Sequence, residues 1–181
     1  ADHLLDQRPQ EARLELRRVY AALTRTAKDL RGVLFDLRPP TLDTAGLAAA
    51  LPHLIERMQR DAGPQLTLHL DLAERLPAHI ERAIYLIIRE ALANVHKHAQ
   101  ATACAVEVRL VPATGAAGRA VQVVVRDNGA GFDPDAVLAH YPHGQSWGLL
   151  NMYERARAVT DRFAIHARPG QGTTVEMQVA L

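Results

Sequence analysis

At 181 residues, with 48% hydrophobic and 23% charged residues, the chain has the size and composition of one globular domain plus an appended element. The formal net charge of +1 and the absence of a basic stripe interleaved with aromatic residues argue against a nucleic-acid partner. The single cysteine, Cys104, excludes an internal disulfide, and no apolar run is long enough to cross a bilayer, so we expect a cytoplasmic region without membrane contact.

The first predicted element is a long helix with a heptad seam. From Leu16 to Leu37, apolar residues recur at alternating gaps of four and three. Pro9 suits the start of this helix, and Pro39 and Pro40 end it, since proline lacks a backbone donor. The seam could pack onto the chain's own domain, but its length favours helix–helix pairing. We therefore expect a homodimer that forms through this helix.

A compact domain is predicted over residues 47–181, after a linker at 41–46. Residues 47–60 have helical periodicity, and alternation over 66–72 predicts a strand with one buried face. A long helix begins at Pro77, a further helix is predicted at 148–159, and strands are predicted at 105–111, 119–125, 162–168 and 173–181. Residues 130–147 are expected to form a lid. The fold class predicted is α+β, a two-layer α/β sandwich in which three helices cover one face of a mixed sheet.

The long helix carries several polar groups in an otherwise apolar sequence. Glu90 and Asn94 are four residues apart and share one helix face, and Lys97 and His98 follow within a further turn. An acid, a neutral oxygen ligand and two potential cations suit a magnesium–triphosphate site. A solvated helix face would give the same pattern, so this segment alone leaves both interpretations open.

Three glycine-containing segments follow in chain order. Asp127 ends a β-branched strand, and its carboxylate can accept a hydrogen bond from the exocyclic amine of adenine. Gly129 and Gly131 leave no Cβ between the backbone and a ligand. Gly148 lies near a helix start, where free backbone amides favour an anion, and Pro169–Val175 is a glycine-rich turn. Each segment is common alone, but their order and spacing indicate a nucleotide pocket.

These segments together resemble the ATP-binding half of the sensor histidine kinases of two-component systems, in the superfamily shared with gyrase-type and mismatch-repair ATPases. Residues 89–99 resemble the asparagine box of that family, 127–132 its first glycine box and 147–156 its second. Residues 36–43 resemble the join between dimerisation helix and catalytic domain in the nitrate-sensor and desaturase-thermosensor branch. The resemblance implies a Bergerat-type ATP fold, with residues 1–40 as a remnant of the dimerisation domain.

The resemblance also implies roles for individual residues. Asn94 is expected to bind Mg²⁺, and Lys97 and His98 the phosphates. Glu90 is the expected catalytic residue, which orients a water of the metal or assists proton movement, and Asp127 is expected to bind adenine. The other ATP-binding residues that the family boxes imply are Gly129, Gly131, Gly148, Leu149 and Thr173.

These assignments predict a protein-histidine kinase that uses ATP and Mg²⁺ and passes phosphate from a histidine to the aspartate of a response regulator. The histidine that precedes the heptad helix, His3, is not followed by an acidic residue and does not match the family's acceptor. We therefore expect ATP binding without autophosphorylation, in the cytoplasm or the cytoplasmic part of a membrane-bound sensor. The alternatives are an ATP-hydrolysing conformational switch of the same superfamily and a non-catalytic dimerisation module.

Overall fold

The computed structural model describes residues 19–20, 40–59, 63–113, 118–134 and 147–181. The chain divides into two compact units, Ala1–Pro40 and Thr41–Leu181. In the first unit, Val19 and Tyr20 are helical and exposed. Tyr20 belongs to the predicted heptad seam, and the other seam residues lie outside the described residues. Most of the predicted lid also lies outside them, so both features remain predictions.

From Pro40 onward the described residues form four α-helices, a π-helical turn and five strands. In chain order these are α1 (Pro40–Ala45), α2 (Leu47–Gln59), β1 (Gln65–Asp71), α3 (Ala78–Asn94), the π-helical turn (Val95–Ala99), β2 (Ala103–Pro112), β3 (Arg119–Asp127), α4 (Trp147–Arg157), β4 (Arg162–Ala167) and β5 (Thr173–Ala180). No helix among the described residues combines the length and the apolar character that a membrane span requires.

The five strands form one mixed sheet in the order β1-β2-β3-β5-β4. β1 runs parallel to β2, and every other pair is antiparallel. Alternate residues of the inner strands point to one face and are buried, because the side-chain period of a strand is two. They form a single hydrophobic cluster with residues of α2, α3 and α4. The predicted α+β fold, a mixed sheet covered by three helices, is therefore confirmed.

Residues 41–46, expected as a linker, are helical as far as Ala45. Pro40 takes the first helical position, where its missing N–H has no intrahelical partner to lose. Leu42 is buried in the domain core, and Gly46, with a φ of +82°, donates its N–H to the Leu42 carbonyl and ends the helix. This segment is thus a packed part of the domain.

An ion pair between the half-exposed Arg75 and the buried Glu81 connects α1 to the start of α3. The Glu81 side chain is 3% exposed and accepts a hydrogen bond of 2.8 Å from the Arg75 guanidinium. Arg75 also donates to the carbonyl of Leu42 at 3.1 Å, and its pKa is raised by the hydrogen bond to Glu81. Since α1 has only six residues, these contacts and not its own helix propensity hold it in place.

The end of α3 departs from α-helical geometry. The π-helical turn carries His96, Lys97 and His98, and Gln100 follows it in the left-handed conformation with a φ of 51°. Helices with π-type turns often have them at functional sites. This turn carries Lys97 and His98, the two side chains predicted to contact the phosphates.

Candidate nucleotide-binding site

A cavity of about 700 Å³ lies between α3, α4 and the sheet. This volume is in the range of small-molecule sites, which combine apolar walls with a few polar groups. The walls include Val125, Phe132, Met152, Ile165 and Val175. Of the residues predicted from the sequence, those that line the cavity are Asn94, His98, Asp127, Gly131, Gly148, Leu149 and Thr173.

Three predicted residues are not among the lining residues. Glu90 lies beside Gly148, where a Cβ added to the glycine would meet its Oε1. Lys97 is exposed on the π-helical turn, so its phosphate contact stays a prediction. Gly129 packs against Ala99, since a Cβ at this position would meet the Ala99 carbonyl oxygen, and its contact with ATP stays a prediction.

Asp127 ends β3 with its carboxylate at the cavity and is 6% exposed. Its Oδ1 accepts a hydrogen bond of 2.8 Å from the backbone N–H of Gly129, which fixes the orientation of the side chain. Within the described residues, Oδ2 has no hydrogen-bond partner. Because Asp127 lines the cavity, this oxygen can accept a hydrogen bond from a donor on a ligand.

The glycines on either side of the cavity mouth hold two turns together. Gly131 has a φ of +59°, and a Cβ there would meet the carbonyl oxygen of Arg168. Gly172 has a φ of +74°, and its Cβ would meet the carbonyl oxygen of Asp127. Only glycine tolerates both the conformation and the close approach. The interlocked turns bring Asp127 and Thr173 to the same cavity.

The opposite side of the cavity is built from α3 and the first turn of α4. A Cβ on Gly148 would meet Glu90 Oε1 and lie 3.3 Å from Asn94 Oδ1, so both oxygens face the same bare stretch of backbone. Mg²⁺ prefers such hard oxygen donors and is bound through one or two of them together with substrate phosphates. No group of three or more His, Cys, Asp or Glu among the described residues could hold a metal alone. The two oxygens of this corner therefore match the ligand type that Mg²⁺ prefers.

Cys104 lies beneath the cavity, paired with Asp127 across β2 and β3. The thiol is 2% exposed, and burial, followed by the negative charge of Asp127, raises its pKa from 9.0 to about 12. The thiolate is the nucleophilic form of cysteine. Cys104 is thus a neutral core residue in the folded protein and not a reactive group.

We expect native Cys104 to resist iodoacetamide at alkaline pH and to react at the rate of global unfolding. Because its folded pKa is raised, the thiol contributes stability that is present below pH 9 and is lost as the pH rises toward about 12. Mass spectrometry of alkylated protein measures this rate with and without urea. Rapid native labelling, at the rate of a free thiol, would contradict the burial that raises the pKa of Cys104.

Gly129 tests the packing of the turn after β3. A Cβ would lie 2.7 Å from the Ala99 Cβ and still closer to its backbone, which cannot rotate away. We expect Gly129→Ala to lower the free energy of unfolding by about 1–3 kcal/mol in urea denaturation. Gly118→Ala is the matched control, because its nearest neighbour is at 3.9 Å, and we expect a change within about 0.5 kcal/mol. Equal effects of the two substitutions would contradict this packing.

Comparison with known proteins gives a consistent result over most of the chain. The family described as histidine kinase-, DNA gyrase B-, and HSP90-like ATPases matches residues 79–181. An uncharacterized sensor-like histidine kinase of Chloroflexus aurantiacus is 35% identical over 98% of the chain, which covers 30% of that protein. The signal transduction histidine-protein kinase/phosphatase DegS of Brevibacillus brevis is 29% identical over 97% of the chain, which covers 43% of it.

A third relative and the solved structures agree with this pattern. The oxygen sensor histidine kinase NreB of Staphylococcus carnosus is 29% identical over 91% of the chain. The chain spans 30%, 43% and 45% of the lengths of the three relatives. The histidine kinase domain of a blue-light activated histidine kinase from Erythrobacter litoralis EL346 matches 76% of the chain and 60% of that domain, with a TM-score of 0.56 and 19% identity. That structural likeness supports the fold.

Proposed function

The chain belongs to the family of histidine kinase-, DNA gyrase B-, and HSP90-like ATPases, and from this premise we propose that it is the ATP-binding catalytic part of a sensor histidine kinase. The observation that supports this most strongly is one cavity with the Asp127 carboxylate at one end and the Asn94 amide at the other, where Glu90 lies beside the lining residue Gly148. Such a cavity can accept an adenine and a magnesium-bound triphosphate together.

At the adenine end, we assign Asp127 the role of base recognition. Its Oδ2 would accept a hydrogen bond from the exocyclic amine of adenine, while Gly129 holds Oδ1. Guanine carries a carbonyl at the corresponding position and would be repelled by the carboxylate. Thr173 and Gly131 line the same end, and the apolar walls suit the faces of the purine.

At the phosphate end, we assign charge neutralisation to the helix termini and cations. Gly148 lies in the first turn of α4, where backbone amides lack intrahelical partners and favour an anion. Leu149 and His98 line the cavity beside it, and Lys97 on the adjoining turn is the expected second cation. Asn94 would bind Mg²⁺, which supplies further neutralisation of the phosphate oxygens when it is bound.

Glu90 is the residue that we assign to the reaction itself. Its carboxylate lies beside Gly148, and we place the terminal phosphate next to it. A carboxylate there can accept the proton that the acceptor imidazole releases as its nitrogen attacks phosphorus and the bond to ADP breaks. The remainder of catalysis is positioning and electrostatic stabilisation, as phosphoryl transfer generally requires.

The partners proposed for the parent protein follow from its relatives. All three relatives are histidine kinases by name, so we propose that the phosphoryl group passes from an acceptor histidine to a response-regulator aspartate. The acceptor histidine would be supplied by a helix outside this chain. We also propose a homodimer that forms through the predicted heptad helix.

A transfer experiment tests the proposal. A separate helical fragment bearing the acceptor histidine is mixed with the 181-residue chain and γ-labelled ATP. We expect label on the histidine, stable in base and lost in acid, and none on a fragment in which that histidine is replaced by alanine. Steady hydrolysis without transfer would instead support an ATP-hydrolysing switch, and absence of ATP binding would support a non-catalytic dimerisation module.

A further inference from the structure

The turn after β3 is tied to the loop that follows the π-helical turn, and Asn128 supplies most of the ties. Its Oδ1 accepts hydrogen bonds from the backbone N–H groups of Thr102 and Ala103, each at 3.0 Å. Its Nδ2 donates to Thr102 Oγ1 at 2.8 Å. One side chain thus uses both ends of its amide to bind a loop 25 or 26 residues away in sequence.

Asn128 is exposed and is not among the residues that line the cavity. It cannot act on a nucleotide directly from that position. Its neighbour in sequence, Asp127, lies at the adenine end of the cavity. We call the hydrogen bonds from the Asn128 side chain to Thr102 and Ala103 the bracket. The bracket begins next to the adenine end and holds a loop on the outside of the site.

The loop that Asn128 holds leads directly from the residues proposed to contact phosphate. Ala99 ends the π-helical turn that carries Lys97 and His98, and its carbonyl accepts a hydrogen bond of 2.7 Å from the Ala130 N–H. Gln100 follows with a φ of 51°, an unfavourable conformation for a side chain with a Cβ. Such a conformation persists only where the surrounding contacts determine it.

We propose that Asn128 is a positioning residue that couples the two ends of the site: it holds loop 100–103, and through it the π-helical turn, in register with Asp127. This inference rests on the proposed function, because the phosphate-contacting role of the π-helical turn is part of that proposal. The adenine end does not depend on the bracket. Asp127 keeps its hydrogen bond to Gly129 and its close packing against Gly172 without the Asn128 side chain.

The test separates affinity for the base from affinity for the phosphates. Binding of adenosine and of Mg-AMP-PNP to the whole chain is measured by calorimetry for the wild type and for Asn128→Ala. We expect Asn128→Ala to weaken Mg-AMP-PNP by about tenfold, since it removes the hydrogen bonds of the bracket, and to change adenosine by less than about twofold. A change of equal factor for both ligands, or of neither, would overturn the proposal.

Two further variants keep the test decisive. Asn128→Asp retains Oδ1, and its second oxygen can accept from the Thr102 hydroxyl, so we expect affinities within about twofold of wild type. Thr102→Val removes the hydroxyl alone and should weaken Mg-AMP-PNP by about threefold, again without affecting adenosine. If Asn128→Ala does not fold, the comparison of Mg-AMP-PNP and adenosine affinity in Thr102→Val tests the proposal instead. A wild-type chain that binds neither ligand would overturn the proposed function itself, an outcome distinct from equal losses in the variants.

Discussion

Replacing Asp127 by asparagine is expected to weaken the binding of Mg-ATP by about 10- to 150-fold, the range for losing a buried hydrogen bond to a charged group. The substitution keeps an oxygen that can accept from the Gly129 N–H, so the turn should be preserved. The freed position then carries an NH₂ group, which faces the amine of adenine as donor against donor. Titration calorimetry with Mg-AMP-PNP measures the loss.

Asp71→Asn is the matched control for this substitution. Asp71 is an exposed carboxylate at the end of β1 and is not among the residues that line the cavity. The Asp71→Asn variant should therefore bind Mg-AMP-PNP with the affinity of the wild type. Both variants should retain the wild-type circular dichroism spectrum. An Asp127→Asn protein that binds Mg-AMP-PNP as tightly as Asp71→Asn would remove Asp127 from base recognition.

Replacing Glu90 by glutamine is expected to lower the rate of phosphoryl transfer to a supplied acceptor histidine by about 10²- to 10⁴-fold, the usual contribution of a general base. Glutamine has nearly the same shape and can occupy the place beside Gly148, but it cannot accept the proton. Affinity for Mg-ATP should therefore change by less than about threefold. Single-turnover transfer of label, read at saturating ATP, separates the chemical step from binding.

Glu154→Gln serves as the control, because Glu154 is an exposed carboxylate on α4, the helix that also carries Gly148. Its transfer rate should equal that of the wild type. An unchanged rate in Glu90→Gln would assign proton transfer to another group. A loss confined to ATP affinity would make Glu90 a binding residue.

The fold could be predicted because its signals are local. The alternating burial in β2, β3 and β5 and the apolar face of α3 depend only on residue spacing. This spacing predicts the strands and helices of the domain. The family resemblance was confirmed for the same reason, since its boxes are contiguous stretches of sequence. The cavity then brings together most of the residues that these boxes implied.

Features that depend on distant contacts could not be predicted. α1 was expected as a linker because six residues carry little helical signal, and the Arg75–Glu81 pair that holds it is formed by residues 30 or more positions away. The π-helical turn has no marker in its sequence. The close packing of Gly129 on Ala99 likewise depends on a residue that is distant in sequence. The role of Asn128 could not be predicted from its place between Asp127 and Gly129, because its hydrogen-bond partners lie on another loop.

A crystal structure of the chain with Mg-AMP-PNP would show whether Asp127 contacts the base while Asn94 and Glu90 face the magnesium-bound phosphates. We expect the adenine amine within hydrogen-bonding distance of Asp127, the triphosphate beside Gly148 and the metal on the Asn94 amide oxygen. A cavity that stays empty at saturating ligand, or that is closed and filled by side chains, would contradict this expectation.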